Sequence, residues 1–107
     1  MTQMTLPKNF TFHELVNSTT ARRLGLNNVP TNPNILAALQ TTAFTLQTIR
    51  DTACIELGRQ VPLIVTSGYR SDEVNKAVGG VGGSAHSLGF AADFLIRGMT
   101  IAEVITM

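Results

Sequence analysis

Apolar side chains recur at helical spacing through one long stretch of this chain. Ile35, Leu39, Ala43, Leu46, Ile49, Ala53 and Leu57 follow one another three or four residues apart, the period that lines up side chains on one face of an α-helix. Asn32 stands ahead of the stripe as an N-cap, Pro33 takes the first helical position, and Gly58 closes the run. The pattern predicts a helix about 36 Å long at 1.5 Å per residue. Its apolar face has to be covered by other elements.

Shorter elements flank it. Thr11-Phe12-His13-Glu14 reads as a capping box, with Phe10 and Leu15 at the two hydrophobic-staple positions. Asn17 and Ser18 interrupt that helix and cap a further turn or two through Ala21 and Leu24, which Gly25 ends. After the long helix, Val61 to Thr66 is a β-branched run of the kind found in buried strands, and Pro62 suits an edge or the start of a strand. Ser67 to Ser71 is a turn, and Ser71 caps a short helix through Val78. Gly79-Gly80-Val81-Gly82-Gly83 is a flexible connection leading to a second strand over residues 91–96. Thr100 and Glu103 form another capping box with Met99 and Val104 as its staple pair, so a last helix has just begun at Met107. The expected organisation is a flexible lead over residues 1–9 and one domain over 10–107. Its expected class is α+β, with the long helix and the short N-terminal helices packed on a small antiparallel sheet.

Composition narrows the function classes. At 107 residues, 44% apolar and 14% charged, with a mean hydropathy of +0.18, the chain is far from a disordered composition. Eight basic residues against seven acidic give a net charge of +1, and Arg22-Arg23 is the only adjacent basic pair; no nucleic-acid partner is expected. The longest apolar runs are far short of the roughly 20 residues a membrane span needs, so no membrane insertion is expected. The N-terminus has neither the apolar core nor the cleavage site of a secretory signal, which predicts cytoplasmic synthesis. Cys54, the lone cysteine, cannot form an internal disulfide and reads as a small core or flank residue.

Two residues stand out chemically. His86 falls in a turn and Asp93 in the second strand, with small residues between them. A neutral imidazole and a carboxylate are both good zinc ligands, and the same pair also suits a surface hydrogen bond. The glycine-rich stretch has neither the Lys-Ser/Thr ending of a phosphate loop nor the G-x-G-x-x-G spacing. It reads as a loop beside a site. His13 reads as an exposed residue of the first helix.

Ser84-Ala85-His86-Ser87-Leu88-Gly89-Phe90-Ala91-Ala92-Asp93 resembles, at every defined position, the S-x-H-x-x-G-x-A-x-D pattern of peptidase family M15, the zinc D-Ala-D-Ala carboxypeptidases and endopeptidases. Ser67-Gly68-Tyr69-Arg70-Ser71 resembles that family's S-G-Y-R-S element, residues 75–80 resemble the link between the two, and residues 10–28 resemble the opening of the phage-type branch. The resemblance implies a catalytic Zn2+ with His86 and Asp93 as two of its protein ligands. It further implies that Arg70 holds the substrate carbonyl and stabilises the oxyanion, and that Ser84 is a supporting or substrate-binding hydroxyl. Gly89 and Ala91 would keep the chain thin near the metal. The family pattern also calls for a later E-x-x-W-x-H segment carrying the general-base Glu and the third ligand, and nothing after Asp93 supplies it. Glu103 is accounted for by its capping role. The resemblance thus implies a C-terminally truncated, incomplete M15-like domain acting on peptidoglycan stem peptides, as a D,D-carboxypeptidase or an L-Ala-D-Glu endopeptidase. By the same likeness to phage endolysins, it would reach the cell wall on lysis. The alternative is an inactive homologue that at most binds cell-wall peptide. An incomplete sheet would expose an edge, so a homodimer through that edge is expected.

Overall fold

A computed structural model describes residues 5–107. Each helix begins where a short polar side chain can satisfy the free N–H groups of a first turn. Thr11 caps α1 (Phe12–Val16) in a complete capping box with Glu14. Ser18 caps α2 (Thr19–Leu24) by accepting from Ala21 N. Asn32 caps α3 (Pro33–Leu57), with Pro33 in its first turn. Ser71 caps α4 (Asp72–Ala77), and Thr100 with Glu103 forms the box that opens α5 (Ile101–Thr106). Gly25 and Gly58 end α2 and α3 in the left-handed region, at φ of 67° and 66°, where a side chain would cost strain.

Strands β1 (Leu63–Ser67) and β2 (Asp93–Ile96) pair antiparallel, Leu63 opposite Ile96 and Val65 opposite Phe94. The next pair is Ser67 with Asp93, which leaves Thr66 as an extra residue on β1. Such a bulge bends a strand and re-aims the side chains beside it. Both strands start two residues later than expected, β1 at Leu63 rather than Val61 and β2 at Asp93 rather than Ala91; for β1 the reason is local. Pro62 has no N–H for a ladder, and Val61 is instead buried beside Cys54, its N–H 3.4 Å from the sulfur.

Two strands alone make a marginal sheet; here they share a core with the long helix. Leu39, Ala43, Leu46 and Ala53 of α3 are buried in one cluster with Leu15, Val61, Leu63, Tyr69 and Ile96. Ile35, Ile49 and Leu57, the remaining members of the apolar stripe, pack partly buried against it, as do Met99 and Val104. The architecture is mixed α+β: five helices, one of them long, and a two-stranded antiparallel sheet among the described residues. No described helix is long and apolar enough to cross a membrane.

The described part of the lead runs along the long helix. Residues 5–9 form no helix or strand, yet Thr5 N donates to Gln40 Oε1 at 3.1 Å and Asn9 N to Gln47 Oε1 at 3.0 Å. Gln47 returns a bond to Asn9 Oδ1 at 2.8 Å. Two glutamines one helical face apart therefore fasten this segment along α3. Residues 1–4 lie outside the described residues.

Candidate metal centre

His86 stands in a tight turn that its own segment builds. Ser87 N donates to Ser84 O, and Leu88 N and Phe90 N both donate to Ala85 O. Ser84 Oγ accepts from His86 N at 3.2 Å, so the hydroxyl holds the backbone of the histidine. The turn is seated on the long helix. Gly89, at φ 84°, approaches so closely that a Cβ there would lie 2.8 Å from Ile35 O and 3.2 Å from Ala38 Cβ. Thr42 Oγ1 donates to Gly89 O at 2.7 Å. Close approach to α3 and a left-handed backbone both call for glycine here.

The imidazole is largely covered, with 14% of its side chain exposed. Its Nδ1 lies 2.8 Å from Gly68 O. A carbonyl only accepts, so Nδ1 carries a proton, and in the neutral tautomer this fixes, the lone pair is on Nε2. Nε2 is 3.6 Å from Asp93 Oδ2, beyond good hydrogen-bonding distance. Two ligands of one tetrahedral zinc, each about 2.1 Å from the ion, lie roughly 3.4 Å apart. The pair therefore has the spacing, the tautomer and the donor chemistry that fit such an ion. Asp93 is mostly exposed, at the β2 end where the Thr66 bulge breaks the regular pairing.

Arg70 reaches the same place through the backbone. Its N–H donates to His86 O at 3.2 Å. Its buried Nε has no partner, and its guanidinium joins no ion pair among the described residues. The structure thus brings Arg70, Ser84, His86 and Asp93 into one neighbourhood. It does not complete a ligand set: no group of three His, Cys, Asp or Glu side chains that could hold a metal occurs among the described residues. His13 is exposed on α1 and lines a different cleft, with Asn9, Glu14, Arg50 and Leu63 to Val65.

Three supporting residues were not singled out by the sequence reading. Asn28 is buried and donates from Nδ2 to Val16 O at 2.7 Å and to Tyr69 O at 2.9 Å, while its Oδ1 accepts from Ser71 N at 2.7 Å. Asn75, also buried, donates to Val81 O at 2.8 Å and so anchors the glycine loop from α4. Gly68 lies against α1; a Cβ there would meet Leu15 O, the atom that accepts from Tyr69 N at 2.8 Å. The three partners of Asn28 lie 12, 41 and 43 residues away, so no local pattern marks it. Tyr69 itself is buried, and burial, assisted by the Asp72 charge, raises its phenol above the ordinary value.

The family model described as Peptidase M15 matches residues 8–107. The chain belongs to that family, whose peptidases are zinc-dependent. No curated protein and no solved structure matches it.

Proposed function

We propose that this chain is a zinc-dependent peptidase of peptidoglycan stem peptides, a D,D-carboxypeptidase or an L-Ala-D-Glu endopeptidase, serving phage or prophage lysis or remodelling of the cell wall. The observation that carries the reading is the His86 Nε2 to Asp93 Oδ2 separation of 3.6 Å, with Nδ1 committed to Gly68 O. These two side chains would hold the zinc. When bound, zinc supplies Lewis-acid polarisation of a carbonyl and acidification of water.

The remaining work falls to the protein. His86 keeps its proton on Nδ1 and so presents Nε2 as a donor of electrons. The Arg70 guanidinium, which joins no ion pair among the described residues and whose Nε has no partner, offers a planar fork of N–H groups to the substrate carbonyl and to the negative charge that develops on it. Ser84 fixes the His86 backbone through its hydroxyl oxygen. Made in the cytoplasm, the protein would meet its substrate after lysis opens the way to the wall.

The test is incubation of the zinc-supplemented protein with a synthetic L-Ala-D-Glu-L-Lys-D-Ala-D-Ala peptide, read by mass spectrometry. Loss of one alanine supports the carboxypeptidase, and release of the N-terminal alanine supports the endopeptidase. An uncut peptide overturns the hydrolytic reading. A second reading, a module that binds the peptide without cutting it, is favoured by the lack of a three-ligand group among the described residues. Binding by calorimetry without turnover would support it.

A further inference from the structure

Arg70 has a backbone held from every side, and one residue does most of the holding. Asn28 accepts from the N–H of Ser71 and donates to the carbonyl of Tyr69, so it grips the residues on either side of Arg70. Its second donor goes to Val16 O at the end of α1. Two further restraints are the backbone bonds from Arg70 N to His86 O and from Tyr69 N to Leu15 O. Only an amide of this reach can serve two carbonyls and one N–H at once. With the amide reversed, its oxygen would face two carbonyl oxygens and its NH2 would face an N–H.

We propose that Asn28 is the positioning residue for Arg70. It locks residues 69–71 onto α1 so that the guanidinium starts from a fixed backbone beside His86. The inference rests on the peptidase reading for what Arg70 does, but not for how Arg70 is held. A reacting group displaced by about 1 Å can cost up to 100-fold in rate, so the grip acts on turnover more than on ground-state affinity.

A double-mutant cycle on the full chain tests this. Asn28→Ala lowers kcat on the stem peptide by about 10-fold to 100-fold with KM nearly unchanged. In an Arg70→Ala background the same change costs less than about 2-fold, because the group it positions is gone. The loss of thermal stability from Asn28→Ala is the same in both backgrounds, which separates positioning from folding. Equal kcat losses in the two backgrounds overturn the proposal. If the wild-type protein does not cleave the peptide, the hydrolytic reading fails, and nuclear magnetic resonance still decides the role of Asn28. Asn28→Asp, which keeps the acceptor and removes both donors, then increases the motion of the Arg70 Nε–H and speeds amide exchange at Tyr69 and Ser71, leaving Leu46 unchanged. Unaltered Arg70 Nε–H dynamics in that variant overturn it.

Discussion

The carbonyl of Gly68 lies 2.8 Å from Nδ1 of His86, and this contact decides which ring nitrogen is left for a ligand. Nε2 then faces Asp93 Oδ2. Backbone from the β1 turn therefore sets the chemistry of a side chain 18 residues further on.

Zinc binding should follow this pair. His86→Ala and Asp93→Asn should each weaken zinc uptake at least about tenfold, since each removes a donor from the coordination shell. Competition against a chromophoric chelator measures it. His13→Ala, on the separate cleft, should leave uptake unchanged. Equal uptake by all variants would remove His86 and Asp93 as ligands.

Gly68 should tolerate no side chain. A Cβ at this position would clash with backbone at Leu15 O, which cannot yield as a flexible side chain would. Gly68→Ala should cost about 1–3 kcal/mol, the usual range for overpacking, read as a lower urea midpoint at constant slope. Gly82 has nothing within 4 Å of its Cβ position and no positive φ, so Gly82→Ala should stay within about 0.5 kcal/mol of wild type.

Alkaline stability should depend on Tyr69. Its folded phenol is raised, by burial first and by the Asp72 charge second, so the fold favours the neutral ring. That contribution is fully present below the ordinary phenol value of about 10 and is lost as pH rises through the raised one. Denaturant melts from pH 8 to 11 should show the decline, and Tyr69→Phe should flatten it.

The last helix should fray in acid. The Glu103 carboxyl is lowered first by the Thr100 backbone N–H, which donates to its Oε1 at 2.9 Å, and then by the Thr100 side chain. A lowered carboxyl stabilises above its ordinary value of about 4.3 and loses that contribution as pH falls through the folded one. The protection factor of the Val104 amide, its intrinsic exchange rate relative to the observed rate at the same pH, should fall below pH 4 in wild type, and Glu103→Gln should remove that fall.

Much of this was legible because it is local. Thr11 with Glu14, Ser18, Asn32, Ser71 and Thr100 with Glu103 all act within three residues, and Gly25 and Gly58 need only their own φ. His86 and Asp93 lie close enough in sequence for one motif to show both. Asn28 was illegible because its partners are scattered through the chain, and Gln40 and Gln47 because a polar helix face looks the same whether it meets water or a strap. The bulge at Thr66 escaped notice for a similar reason: it exists only in the register between two strands, which neither strand carries alone.

The seat of Gly89 on α3 ties the imidazole to the second turn of a distant helix. Ala38 is buried and would be the nearest side-chain neighbour of any Cβ at Gly89, although it lies 48 residues before His86. The space at Ala38 thus bears on the histidine's placement as well as on the packing of the core. In a saturation library sorted for metal retention, bulky replacements at that codon should vanish even among clones that still fold.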